Sequence, residues 1–153
     1  MSKTLFLSMS NLMNKLKIAW QIAANEDVST PENSVVLYSI SYQPTDANKR
    51  KAMEFLSSHR GFYTLDDTAC GKKLMELGLE TGNDNPNPEL LKIWATASRR
   101  FILAASGNIT AFVDNADKRS TFVSVELPLI LQNDKIKLIN GTEKHKFAVQ
   151  FQW

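Results

Sequence analysis

From Asn87 to Glu126 the chain reads NPELLKIWATASRRFILAASGNITAFVDNADKRSTFVSVE, and its apolar positions change period partway through. Leu90, Leu91, Trp94, Ala97, Phe101 and Ala105 recur at helical spacing and predict one apolar face. Asn87 can cap the first free N–H groups, and Pro88 suits the first helical position. Gly107 supplies a left-handed stop, with Arg99 and Arg100 late in the helix, where cations suit its dipole. Asn108 to Val113 then alternates and is rich in β-branched and aromatic residues, which predicts a strand. A loop follows over Asp114 to Lys118, and Ser120 or Thr121 can cap a short turn leading to Glu126.

The same reading extends to both ends. Leu5 to Ala24 predicts a helix, with Leu12, Leu16, Ala19, Trp20, Ile22 and Ala23 on one stripe and Trp20 in the core. Asn25 to Asn33 is a loop, and Ser34 to Tyr42 is a β-prone, almost uncharged strand. Thr45 to His59 predicts a helix with Ala52, Met53, Phe55 and Leu56 inward and Lys49 to Lys51 solvated. Gly61 breaks it. Thr64 can cap the next helix, with Asp67 at the third position of a T-x-x-D box, and that helix runs to about Leu79, ending near Gly82. Asn83 to Asn87 is a turn-rich linker. Pro128 is expected to stop regular structure after Glu126. Lys135 to Ile139 reads as a strand closed by the turn pair Asn140–Gly141, and Phe147, Val149, Phe151 and Trp153 alternate as a C-terminal strand.

Four positions carry candidate chemistry, most with an ordinary alternative. Trp94 and Ser98 are four apart, one turn from each other on a helix; a tryptophan at helical spacing also serves as plain core. Glu126 sits in the mostly apolar run Thr121 to Leu127, so it needs a partner or a cleft, or is simply a solvated surface acid. Asp66 in a first helical turn gains about 0.3–1 kcal/mol from the dipole without any further role.

Taken together, these stretches resemble one family. IWATASRRF followed by STFVSVE is similar to the ADP-ribosyl cyclase / NAD glycohydrolase family, the group that includes the mammalian cell-surface cyclase-hydrolases. That family carries a W-x-x-x-S-R-R-F helix and then an S-T-F-x-S-V-E segment. Phe62 to Thr68, FYTLDDT, resembles its F-T-L-E-D-T block, so three motifs fall in order over residues 62–127. The resemblance implies an α/β (α+β) fold: a helical N-terminal lobe, over about residues 1–85, plus a small mostly parallel β-sheet with flanking helices over about 86–153, the whole forming one catalytic domain. It implies NAD+ as substrate, no metal and no tightly held cofactor. Glu126, Trp94 and Asp66 then match catalytic positions. Ser98, Thr121 and the backbone N–H of Phe122 match positions that hold the diphosphate, and Asp67 and Thr68 belong to the acidic substrate-binding block. The family's upstream stacking tryptophan has no counterpart; Tyr42, or else Tyr38, stands nearest its place. Asp66 replaces the family's usual Glu, which bears on whether the product is cyclic or linear.

Composition narrows the setting. The 153 residues are 43% hydrophobic and 22% charged, ordinary for a soluble globular protein. A net charge of +2 with no dense Lys/Arg stripe argues against nucleic acid as a partner. No apolar run approaches the roughly 20 residues that span a bilayer, which argues against the membrane, and the N-terminus makes a poor signal peptide. Cys70 is the single cysteine, so no intrachain disulfide forms, unlike the secreted animal members of the resembling family. A disulfide-free, NAD+-consuming domain fits the toxic C-terminal part of a larger delivered bacterial protein. It would act in the target cell's cytoplasm, and a cognate immunity protein would protect the producer. Two alternatives stay open: a metal-independent ribonuclease using His59 and His145, with Lys144 or Lys146 on phosphate, and an inactive nucleotide-binding module.

Overall fold

The computed structural model describes residues 3–79 and 87–151, so Gly82, the expected linker except Asn87, and Trp153 lie outside the described residues. The chain divides into two compact units, each discontinuous: Met1–Val28 with Leu65–Arg100, and Ser29–Thr64 with Phe101–Trp153. This division differs from a cut near residue 85, because the first sheet strand lies early, inside the second unit.

The first unit is helical. It holds α1 (Lys3–Asn25), a 3₁₀ turn (Leu65–Asp67), α3 (Ala69–Glu76) and residues 88–100 of α4 (Pro88–Ala104). Ala19 and Ala23 of α1, Cys70 and Leu74 of α3, and Ile93 and Ala97 of α4 are fully buried. The buried stripe of α4 runs through Leu90, Ile93 and Ala97, whereas Leu91 is 46% exposed and Trp94 half-buried, so the apolar face is rotated from the expected one. Trp20 is half-buried too, its indole N–H donating to Glu89 Oε1 at 2.6 Å. Arg100 serves a different helix from its own. Its guanidinium donates to the carbonyls of Ala23 (2.7 Å) and Glu26 (2.8 Å) at the C-terminal end of α1, where unpaired carbonyls and the helix dipole favour a cation.

The second unit holds a four-stranded sheet in the order β1 (Val36–Tyr38), β2 (Gly107–Phe112), β3 (Ile136–Ile139), β4 (Thr142–Glu143). The first three strands run parallel and β4 is antiparallel to β3, so the expected small, mostly parallel sheet is present. Asn140 (φ 51°) and Gly141 (φ 77°) make the predicted two-residue hairpin turn, and the Asn140 amide pairs with both backbone groups of Ala111 on β2. Gly107 opens β2 rather than stopping α4. Its φ is 78°, and a Cβ there would collide with the Asn33 side-chain oxygen, which accepts from the N–H of Asn108.

Five expectations are overturned. β1 is far shorter than Ser34 to Tyr42: the carbonyl of Ser39 is taken by the buried Asn48 amide of α2 (Ala47–Ser58), which donates to it at 2.9 Å, and Tyr42 turns to φ 62°. Within α2, Met53 is exposed while Asn48 and Ala52 are buried. Pro128 does not stop regular structure; it is the second residue of α5 (Leu127–Gln132), in the first turn where proline is tolerated. The segment from Lys144 is helical, with α6 (Lys144–Ala148) followed by a 3₁₀ turn (Val149–Phe151). Its apparent period of two fails at Val149, which is 57% exposed, while Lys144 and Ala148, four apart, are buried. Glu143 caps this helix by accepting from the Lys146 N–H. The Lys144 ammonium donates to the carbonyls of Ile130 (3.1 Å) and Asn133 (2.8 Å), so it holds the end of α5 and offers nothing to phosphate.

Candidate active site

In the first unit Leu65 to Thr68 form a 3₁₀ turn and the cap of the helix that follows. Asp66 and Asp67 lie exposed on the 3₁₀ turn, and the α-helix starts after them, capped by Thr68 rather than Thr64. The Thr68 hydroxyl donates to the Leu65 carbonyl at 2.6 Å and accepts from the Gly71 N–H at 3.1 Å. Its one proton is therefore committed to the turn, and Thr68 is a structural cap at 6% exposure. Gly71 was not singled out by sequence reasoning, yet a Cβ there would lie on the Leu65 carbonyl oxygen and 2.7 Å from Asp66 Cα. Only glycine lets α3 pack this closely beneath the acidic turn. An isolated glycine inside a helical pattern was the available signal.

On α4, Trp94 and Ser98 stand one turn apart as expected. The Trp94 indole N–H donates to the Leu79 carbonyl at 3.1 Å, which fixes the ring's tilt, and Ser98 is only 9% exposed. Cys70 is free and buried, its thiol 3.4 Å from the Ile22 carbonyl; burial raises its pKa, against the opposing pull of Arg100.

In the second unit, Glu126 ends a π-helical turn (Phe122–Glu126) in which the Leu127 N–H reaches back to the Phe122 carbonyl. Ser120 anchors its start: the Ser120 hydroxyl accepts from the Val123 N–H at 3.2 Å, and its carbonyl accepts from the Ser124 N–H at 2.9 Å. Thr121 is exposed and its side chain makes no cap, so of the two candidate caps Ser120 does the capping. Phe122 packs inward, edge to face with Phe151 and with the ring centroids 5.7 Å apart. Glu126 is 9% exposed, beside the buried Leu127 and Phe122, so it is no surface acid.

Tyr42 lies elsewhere in the same unit, 60% exposed on left-handed backbone. The Arg119 guanidinium sits 4.0 Å from its ring centroid. Asp117 orients that guanidinium, accepting from Arg119 Nε at 2.9 Å, from Nη2 at 3.0 Å and from its backbone N–H at 2.8 Å. The Arg119 side chain first, then its backbone N–H, hold the Asp117 pKa at about 2. Tyr38, the alternative, is half-buried on β1. No group of three or more His, Cys, Asp or Glu side chains that could hold a metal ion occurs among the described residues, and no described helix is long and apolar enough to cross a membrane.

No protein-family model matches the sequence, and no curated protein does. Solved structures do. A porcine CD38 complexed with a covalent intermediate, ribo-F-ribose-5'-phosphate, is 20% identical over 90% of this chain and 77% of its own, at a TM-score of 0.54. Apo porcine CD38 is 22% identical over 82% of this chain at a TM-score of 0.50, and Aplysia cyclase complexed with substrate NGD and product cGDPR is 22% identical over 71% at 0.50. The chain spans 48% of the Aplysia cyclase and 66% of the apo porcine CD38. The fold is thus that of the ADP-ribosyl cyclases and CD38, as the sequence motifs implied.

Proposed function

We propose that this chain cleaves the nicotinamide–ribose bond of NAD+, releasing nicotinamide and, after capture of water, ADP-ribose. The observation that carries this reading is Glu126, a carboxylate at 9% exposure closing a π-helical turn, in a fold whose neighbours include a cyclase with substrate NGD and a CD38 with a covalent ribose-phosphate intermediate. As the glycosidic bond breaks, its electron pair leaves with nicotinamide and neutralises the pyridinium. The ribose is left as an oxocarbenium-like cation, which a fixed carboxylate stabilises where the charge develops. Because the leaving group starts cationic it needs no proton, and one acid suffices. Water then adds to the ribose carbon and loses a proton.

Trp94, its indole already fixed on Leu79, supplies a flat wall for the nicotinamide end, with Asp66 toward the amide. Ser98, Thr121 and the Phe122 N–H serve the diphosphate, and Asp67, exposed beside Asp66 on the same turn, takes part in binding the substrate. Hydrolysis is favoured over cyclisation, which needs a more sheltered cation and a folded substrate, and the family's upstream tryptophan is missing. Incubation of the pure protein with NAD+ and chromatography of the products tests this. Nicotinamide and ADP-ribose are expected in equal amounts; unchanged NAD+ refutes the reading.

We further propose that the domain works as an NAD+-depleting toxin in the cytoplasm of a target bacterium, with a cognate immunity protein. A fold that stands on packing, with its lone thiol buried, supports action in a reducing compartment. Expression in bacteria should collapse the NAD+ pool before RNA or membrane integrity suffers. Growth arrest with NAD+ intact would dismiss it.

A further inference from the structure

We propose that Tyr42, Arg119 and Asp117 form a stacking platform that takes the adenosine end of the dinucleotide and disfavours its cationic nicotinamide end, an inference that rests on the NAD+ cleavage proposed above. Three observations converge on it. Tyr42 holds its ring 60% exposed on backbone at φ 62°, a conformation that costs a side-chain-bearing residue about 1–2 kcal/mol. Such strain gathers where a side chain must be presented in one direction. Nor is the loop left loose. Gln43 Nε2 donates to the Asn115 carbonyl at 2.6 Å, and the buried Asn48 amide joins the carbonyls of Ser39 (2.9 Å) and Asp114 (3.1 Å). These bonds clip together the segments that follow β1 and β2, at the carboxyl ends of parallel strands, where open α/β sheets bind ligands.

The third observation decides which ligand. The Arg119 guanidinium already covers one face of the ring, locked by the two-pronged contact to Asp117. A ring with a cation on one face has its quadrupole engaged, and a second cation stacked opposite would meet the guanidinium's charge through the ring. A pyridinium is therefore a poor occupant. A neutral purine stacks well, and the guanidinium's remaining N–H groups can meet an adjoining phosphate. Arg119 also directly precedes Ser120, the anchor of the turn that ends in Glu126, so the platform is tied by sequence to the candidate catalytic carboxylate.

Two measurements test the platform independently. In the first, AMP is titrated against the protein and the variants Tyr42→Ala, Tyr42→Gly, Tyr42→Phe and Arg119→Ala by calorimetry. Glycine suits φ 62° and keeps the loop's shape should alanine strain it. AMP affinity should fall about fivefold to tenfold in Tyr42→Ala and Tyr42→Gly, about twofold to threefold in Arg119→Ala, and hold in Tyr42→Phe. In the second, KM is compared for NAD+ and for nicotinamide mononucleotide, which lacks the adenosine end. The KM ratio of dinucleotide to mononucleotide should rise about fivefold in Tyr42→Gly. Equal loss for both substrates would place the ring at the nicotinamide end and overturn the inference, as would AMP binding that ignores Tyr42 or is absent from the parent protein. If neither nucleotide is cleaved, the proposed function fails, while the AMP titration still decides the platform.

Discussion

Trp94 and Ser98 stand on a helix of ordinary pitch, while Glu126 closes a turn in which a backbone N–H reaches back five residues instead of four. The first pair is delivered by propagation: once α4 forms, residues four apart share a face with no further device. The second needs special means at both ends. Ser120 caps the entry with its hydroxyl and its carbonyl, and Pro128 begins a regular helix at the exit. Between them the widened turn seats Phe122 in the core and leaves Glu126 largely buried. π-helical turns are costly and recur at functional sites, where they aim a side chain that regular pitch would misplace. A face of α4 is built by repetition, whereas the candidate catalytic carboxylate is positioned by an exception to regular pitch.

The largest effect separates these two roles. Glu126→Gln keeps the shape and removes the charge, so turnover should fall about 10²–10³-fold, the ~3–4 kcal/mol that one preorganised electrostatic contact typically contributes. KM should move far less, since the contribution belongs to the transition state. Melting temperature should change far less than turnover, because the amide fills the same volume and keeps a hydrogen-bonding oxygen. A folded Glu126→Gln that keeps most of its activity would remove the centre of the proposal.

The same contrast explains what was legible. Periodicity located α1, α2, α4, β2 and β3, and Asn140–Gly141 announced its own hairpin, because each signal is local. A carboxylate in an apolar run, and then motif resemblance, pointed to Glu126 where periodicity did not, and Pro128 made the run read as a turn that stops. The polar residues that hold the fold left no local signature. Asn48, Asn133 and Lys144 are buried because each satisfies backbone carbonyls far along the chain; Asn133 alone reaches those of Ile102, Leu103 and Ala105. For the last segment, an apparent alternation concealed a spacing of four. Arg119 was passed over because nothing within its own segment reveals an aromatic ring from another loop.

A second test asks whether the acidic turn depends on packing as the glutamate turn depends on capping. Gly71→Ala places a methyl group against the Leu65 carbonyl and Asp66 backbone, neither of which can swing aside. The expected loss is about 1–3 kcal/mol of stability, read as a lower midpoint in urea. An unchanged midpoint would show that α3 and the 3₁₀ turn can separate freely. Smaller still, Trp94→Ala removes a stacking surface rather than a charge. Binding and turnover should both weaken, each about tenfold or less, with KM moving as clearly as kcat. A loss confined to kcat would make Trp94 part of the charge-stabilising machinery and erase its difference from Glu126.

The smallest effect concerns the two histidines, the only rivals to a single-carboxylate chemistry. An acid–base pair must share a proton path, but each ring is engaged close by in its own segment. His59 stacks on Phe55 at 4.0 Å, with Nδ1 2.9 Å from the Phe55 carbonyl, and His145 Nδ1 lies 2.8 Å from Glu143 Oε1. The double variant His59→Ala/His145→Ala should therefore keep NAD+ turnover within about twofold of the parent, and a folded but inactive double variant would hand the chemistry to the histidines. His145→Ala should instead reveal a local role. The hydrogen bond from His145, and then the N–H groups of Lys146 and His145, hold the Glu143 pKa at about 2 against an ordinary 4.5. A depressed carboxylate contributes stability that is fully present above the ordinary value and is lost as pH falls through the depressed one. Without the imidazole, the Glu143 midpoint should climb back toward 4.5, and the cap of α6 should release at a correspondingly higher pH. The Lys146 amide resonance, followed by NMR from neutral to acid, reports that release directly; an identical midpoint in both proteins would mean that the backbone N–H groups alone hold Glu143 down.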